Sequence, residues 1–149
     1  MKRYVLDAGP FLLIFTKERG SDKIQSLILK HEKGEVEVYM HPNNLVEAYT
    51  VLNRIIKEKP YLLKRRVNPA TIIKSAYATL FILNDEETTL SLAKLKAKYR
   101  KKPWGDLSAA ALALRLSEEK ETPIIVLDNE KHFHDIEEVK TLKVSELTI

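Results

Sequence analysis

The sequence predicts an α/β fold in which helices cover both faces of a mostly parallel sheet. Short apolar runs alternate with longer stretches of helical periodicity along the whole chain. Strands joined through helices form parallel pairs with right-handed crossovers. No repeat, linker or low-complexity segment interrupts this alternation. We therefore expect a single domain over residues 1–149, an α/β/α sandwich of three layers around a central sheet.

Five apolar runs have the length and composition of strands. The second of them alternates apolar and polar residues, and the fourth is apolar throughout and follows Pro123. The predicted strands cover residues 3–7, 36–40, 80–83, 124–127 and 139–144.

The helices are predicted from apolar spacing and from residues that begin or end a helix. Ser21, Asp85 and either Asn43 or Asn44 are candidate N-caps, and Gly34 is a stop signal. The predicted helices cover residues 11–17, 21–33 and 45–57, two further segments that start at Pro60 and Pro69, a segment that runs from Asp85 into the basic stretch, and residues 107–119.

Composition bounds the possible functions. The chain has no cysteine, which excludes disulfides and cysteine-based zinc or nucleophile chemistry. Its net charge of +4 favours an anionic partner only mildly. No apolar run is long enough to span a bilayer, and Asp7, Gly9 and Pro10 interrupt what would be the apolar part of a signal peptide. We therefore expect a cytoplasmic protein with no membrane association.

Four acidic residues occupy positions where a metal-dependent nuclease needs them. Asp7 and Asp128 end the first and fourth predicted strands, and Glu47 and Asp106 lie near helix starts. Ligand sites in parallel sheets lie outside the carboxyl ends of the strands, so all four can face one rim. Three of them have an alternative structural role: Asp106 as an N-cap, Glu47 as a helix-dipole partner and Asp128 as a turn residue.

A converging cluster of carboxylates requires a cation. Two carboxylates about 4 Å apart repel by roughly 4 kcal/mol at an effective dielectric near 20. Oxygen ligands without cysteine select a hard ion, Mg²⁺ or Mn²⁺. Such an ion lowers the pKa of a bound water and stabilises a leaving oxygen, which is the chemistry of phosphodiester hydrolysis. His132 and His134 are two residues apart without a supporting cysteine or acid, so a zinc site there is not expected.

A basic stretch before Asp106 is the candidate for gripping the nucleic-acid backbone. Six cations fall between residues 94 and 102, and the same residues are also compatible with a solvated helix end. Trp104 follows them and either stacks on a base or packs against the fold. The candidate phosphate-binding residues are Lys98, Arg100, Lys101 and Lys102.

These segments together resemble the PIN-domain nucleases, and most closely the VapC-like toxins of prokaryotic toxin–antitoxin pairs. The segments that carry the resemblance are 4–7, 44–48, 104–110 and 127–133, which span nearly the whole chain. The resemblance implies a PIN-like fold, with Asp7, Glu47, Asp106 and Asp128 as ligands of Mg²⁺ or Mn²⁺ in catalysis. It further implies cleavage of single-stranded RNA, a homodimer and inhibition by a small antitoxin protein.

Two hydroxyls that are common in this family are missing here. Ala8 follows the first Asp where Ser or Thr is frequent, and Leu127 precedes Asp128 where Thr is common. Asn129 is the candidate to compensate as a supporting or water-mediated ligand. The competing hypothesis is a catalytically weak or inactive PIN-like module that binds RNA or protein. A phosphatase with a nucleophilic Asp7 is disfavoured, because Gly9 occupies the place of its second Asp.

Overall fold

The computed structural model describes residues 1–148, which form a five-stranded parallel sheet with helices on both faces. The strands in spatial order are β3, β2, β1, β4 and β5, so the first strand lies at the centre. Their bounds are β1 Lys2–Leu6, β2 Val36–Met40, β3 Phe81–Ile82, β4 Ile124–Val126 and β5 Thr141–Lys143. Each described pair is parallel, as the alternation of strands and helices predicts.

Six α-helices connect the strands and complete the outer two layers. They are α1 Ala8–Leu12, α2 Ser21–Glu32, α3 Pro42–Glu58, α4 Pro69–Thr79, α5 Glu86–Lys98 and α6 Trp104–Ser117. Within residues 1–148, no helix is long and apolar enough to cross a lipid bilayer.

The core is divided by the sheet because successive strand residues point to opposite faces. Leu6 of β1 and Ile125 of β4 pack on the face covered by α1, α2, α3 and α4. Val5 and Ile124, one position earlier in each strand, pack on the opposite face against α6 and Leu95 of α5. The four alanines of α6 are fully buried or nearly so, which lets this helix lie close to β1 and β4. The three-layer α/β/α architecture is therefore confirmed.

Several helix predictions were wrong in their bounds. The first helix starts at Ala8 and ends at Leu12, because Thr16 pairs with Leu63 in an antiparallel bridge. The third helix starts three residues before the predicted Leu45, and its cap is His41, whose Nδ1 accepts a hydrogen bond from the backbone N–H of Asn43. The segment from Pro60 forms only a short 3-10 turn.

The capping role considered for Asp106 is also wrong. Helix α6 starts at Trp104 with Pro103 as its N-cap, and Asp106 lies inside the first turn. Its carboxylate therefore does not cap the helix and is available for another role.

Candidate active site at the carboxyl edge of the sheet

Asp7 follows β1, the central strand, and its side chain is only 7% exposed. It occupies the N-cap position of α1 without making a side-chain capping bond. The pKa of Asp7 is raised to about 7, mainly by burial and to a smaller extent by the nearby carboxylates of Glu47, Asp106 and Glu130, whereas a backbone hydrogen bond from Ala8 opposes the rise. A carboxyl group with this pKa has been desolvated without receiving a cationic partner.

Glu47 reaches the same edge from α3. A Cβ placed on Gly105 would lie 3.0 Å from Glu47 Oε1 and 3.1 Å from Oε2, so the carboxylate rests against the first turn of α6. Helix N-termini favour negative charge, which suits this contact. Burial nevertheless raises the pKa of Glu47, and the charge of Asp106 adds to the rise, while the side chain of Asn44 opposes it.

Asp106 completes a set of three acids that the sequence predicted and the structure brings together. Its side chain is buried, and Oδ2 has no hydrogen-bond partner among the described residues. Burial raises the pKa of Asp106, Glu130 raises it further, and His132 opposes the rise. An unpaired buried carboxylate oxygen is costly, which points to a cationic ligand or ordered water at this position.

Glu130 and His132 join these acids, and the sequence reasoning missed both. Nδ1 of His132 lies 3.1 Å from Glu130 Oε1 and 3.6 Å from Asp106 Oδ1. The carboxylate of Glu130 also accepts a 2.5 Å hydrogen bond from the backbone N–H of His132. The sequence carries no signal for this placement, because it depends on the turn after β4, in which the N–H of Glu130 donates a hydrogen bond to Leu127 O.

Asp128 does not join the cluster. Its Oδ1 accepts a hydrogen bond of 3.0 Å from the backbone N–H of Ser145, which lowers its pKa with smaller help from Lys143 and Arg19. With Asn129 it lines a separate cavity of about 740 Å³ beside Arg19. The structure therefore does not bring Asp128 and Asn129 together with the other acids: the chain turns after Leu127, and Glu130 supplies a fourth carboxylate at this edge.

The basic stretch lies beside the acids, as expected. A cavity of about 540 Å³ is lined by residues 98–103 together with Asp106, His132 and Asp135. Lys98 and Lys102 already form ion pairs with Glu138 and Asp135, at 3.2 and 2.5 Å. Arg100 and Lys101 are exposed. They are the two members of the stretch best placed to meet a polyanion.

Trp104, the first residue of α6, directly follows Pro103, which lines this cavity. Its side chain is exposed, and Lys96 Nζ lies 4.8 Å from the centre of its ring. The indole is therefore not buried in the core, and its ring is accessible for stacking.

The chemistry of the donors fits a hard divalent cation. The candidate ligands are oxygens of Asp7, Glu47, Asp106 and Glu130, and the buried Oδ2 of Asp106 lacks a partner. Within residues 1–148 no three His, Asp or Glu side chains already lie at metal-binding separations. The four acids are thus neighbours that repel one another, rather than a closed ligand shell.

Comparison with solved structures identifies the fold. No protein-family model matches the sequence, and no curated protein is significantly similar to it. A chain of VapBC2 from Rickettsia felis, solved bound to a DNA fragment from its promoter, superposes with a TM-score of 0.64 at 14% identity, covering 95% of this chain and 98% of that one. This chain has a VapC-like PIN fold. PAE2754 from Pyrobaculum aerophilum gives a TM-score of 0.58 at 15% identity, covering 97% and 85% of the two chains. The PIN-like fold predicted from the sequence is confirmed at identities that show the fold alone.

Replacing Asp7 with Asn should stabilise the metal-free protein in a pH-dependent way. The folded pKa of Asp7, about 7, exceeds its usual value of 3.8, so between these values the folded state holds a proton that the unfolded state has released. The contribution of Asp7 to the free energy of unfolding therefore falls as pH rises through this window, by about 4 kcal/mol in total. Asp7→Asn removes that loss. Urea unfolding of both proteins at about pH 4 and about pH 8 checks it, and parallel pH dependences would contradict the assignment.

Gly105→Ala should displace Glu47 without unfolding the protein. The new Cβ would fall 3.0 Å from its carboxylate, whereas alanine suits a helix interior. We expect Mn²⁺ affinity, measured by titration calorimetry, to fall about tenfold with little loss of stability. Gly34→Ala is the control, because Gly34 has a φ of 76° and nothing within 4 Å of a new Cβ. It should lose stability and keep Mn²⁺ affinity.

Proposed function

We propose that the protein is a Mg²⁺-dependent endoribonuclease, with Mn²⁺ as an effective substitute, and that it is the toxin of a type II toxin–antitoxin pair. The observation that carries the proposal is the convergence of buried, mutually repelling carboxylates on a PIN fold, with the pKa of Asp7 raised to about 7. Charges of this kind persist at a functional site because a ligand compensates for them.

Four residues are assigned to the cation. Asp7, Glu47, Asp106 and Glu130 would hold it, and the ion, when bound, supplies a water of lowered pKa and neutralises charge on the phosphodiester. His132 contacts both Glu130 and Asp106 and orients these carboxylates. Burial of Asp7 and Asp106 limits the water around the reacting phosphate. Asp128 is left out of this set because Ser145 holds its carboxylate elsewhere.

The substrate is assigned from the surroundings of the acids. Arg100 and Lys101 stand beside Asp106 in a cavity open enough for a nucleic-acid strand, and the exposed ring of Trp104 offers a stacking surface. An unpaired strand presents both phosphates and accessible base faces, so single-stranded RNA is the preferred substrate.

Two protein partners are part of the proposal. The VapBC2 match was solved as a complex, which supports an antitoxin partner for this chain. A homodimer is supported by the large apolar side chains exposed on α3 and α4, including Val46, Tyr49 and Tyr77. The site lies in a chain without described membrane-spanning helices, and we propose that it acts in the cytoplasm.

The second candidate is a PIN-like module that binds RNA with little or no catalysis. One observation favours it: within the described residues the acids and histidines do not form a ready ligand shell of three. RNA binding that needs no metal and leads to no cleavage would support this candidate.

Comparison of Glu130→Gln with Asp128→Asn tests the proposed site. Labelled single-stranded RNAs are incubated with each variant, with the wild type and with Asp7→Asn, in Mg²⁺, Mn²⁺ or EDTA. We expect metal-dependent cutting by the wild type, a loss of at least about a hundredfold in Asp7→Asn and Glu130→Gln, and near-normal cutting by Asp128→Asn. Loss in Asp128→Asn with normal cutting by Glu130→Gln would restore Asp128 to the site. Full activity of Asp7→Asn would refute the nuclease assignment.

The basic stretch is tested by the salt dependence of RNA binding. Each phosphate contact on a single strand contributes about 0.7 to the slope of log affinity against log salt, so Arg100→Ala with Lys101→Ala should reduce the slope by about 1.4. Arg65→Ala with Arg66→Ala is the matched control, since it removes the same charge from another exposed loop. The slopes are measured by fluorescence anisotropy in an Asp7→Asn background. Equal slopes for the two double variants would mean that the basic stretch is ordinary surface charge.

A further inference from the structure

Asn44 is fully buried beside the acids, although it is an amide on the third residue of α3. Its Nδ2 donates a hydrogen bond of 3.0 Å to the carbonyl oxygen of Gly105 and lies 3.5 Å from Oδ1 of Asp7. Its side chain also opposes the rise that burial causes in the pKa of Glu47. The amide of Asn44 is therefore close to Asp7 and Glu47 and is hydrogen-bonded to Gly105, the residue before Asp106.

The orientation of the amide is fixed by chemistry. A carbonyl oxygen can only accept a hydrogen bond, so the NH₂ group, and not Oδ1, must face Gly105. This orientation also puts the NH₂ group nearest Asp7 and leaves Oδ1 buried with no partner among the described residues. An unsatisfied buried carbonyl costs stability. An asparagine that served packing alone would not require this arrangement.

The polar groups around Asp7 indicate the role of the Asn44 amide. Ala8 follows Asp7, so the neighbouring side chain offers no hydroxyl to order the carboxylate. Asn44 supplies the side-chain donor on Asp7 among residues 1–148, from a helix that packs against both α1 and α6. At 3.5 Å this contact is long, whereas the hydrogen bond of the same NH₂ group to the carbonyl oxygen of Gly105 is 3.0 Å, so the bond to Gly105 holds the donor in place beside Asp7.

We infer that Asn44 is the positioning residue of the acid cluster: its amide ties the carboxylate of Asp7 to the first turn of α6 and so sets the spacing of Asp7, Glu47 and Asp106. The inference rests on the proposed function, because it concerns the cation and the reaction assigned to these acids. Asn44 is fully buried, which keeps its side chain away from the surface where a substrate would bind. It acts through the carboxylates it spaces.

The test compares Asn44→Ala with Asn43→Ala. Nδ2 of Asn43 donates a 2.9 Å hydrogen bond to Oγ of Ser108, so both variants remove one amide that links α3 to α6, but only Asn44 contacts the acids. We expect Asn44→Ala to lower Mn²⁺ affinity about tenfold and kcat by a similar factor, with KM for RNA unchanged. Asn43→Ala should lose stability only. Equal effects of the two variants on Mn²⁺ affinity and kcat would overturn the inference.

Two additions keep the test decisive. If Asn44→Ala does not fold, Asn44→Ser replaces it, because its hydroxyl is too short to bridge Gly105 and Asp7; wild-type Mn²⁺ affinity in that variant would overturn the inference. A metal-free arm measures the free energies of unfolding of Asn44→Ala, Asp7→Asn and their combination. Non-additive values support the contact, and additive values overturn it.

The two proposals fail in different ways. Wild-type protein that neither binds Mn²⁺ nor cuts RNA defeats the nuclease assignment, and with it the catalytic role of Asn44, while the metal-free arm still reports whether Asn44 orders Asp7. Wild-type protein that binds and cuts, with Asn44→Ala behaving as Asn43→Ala does, defeats the positioning role alone.

Discussion

The buried carboxylate of Asp7 is the constraint on which the rest of the site depends. It ends the central strand, where the sheet and the helices of both faces exclude water. Its raised pKa measures how poorly the metal-free protein accommodates the charge. The other features of the site are arranged around this carboxylate: the amide of Asn44 faces it, and Glu47 and Asp106 approach it from α3 and α6. Under the proposed function, a bound cation would offset the stability that this buried charge costs the fold.

Gly105 shows how closely the two helices must meet. Any larger residue would press on the carboxylate of Glu47, and the carbonyl of the same glycine anchors Asn44. This one position on α6 therefore leaves room for Glu47 through its lack of a side chain and binds Asn44 through its backbone carbonyl. This double role makes the α3–α6 junction, rather than any single acid, the element that gives the site its shape.

Much of the fold follows from local signals in the sequence. Alternating strands and helices predict the parallel sheet, and apolar runs that end in Asp7 predict the edge where the acids gather. The bridge between Thr16 and Leu63 ends the first helix early. No local sequence pattern predicts this bridge, because the two residues are 47 positions apart. Glu130 was missed for a related reason. A turn determines which of two nearby acids faces the site, and the carboxylate of Asp128 is hydrogen-bonded to Ser145 instead. Asn44 was considered only as a cap, since its contacts with Asp7 and Gly105 are long-range.

The position of β1 between β2 and β4 has a consequence for biosynthesis. Asp7 and Glu47 belong to the first third of the chain, whereas Asp106 and Glu130 are translated much later. A ribosome that has produced only the first hundred residues has made no α6 and no β4, so the early acids have nothing to converge on. The cluster therefore cannot form before α6, β4 and the turn after β4 have been synthesised, and any hydrolytic activity that depends on it is absent until then.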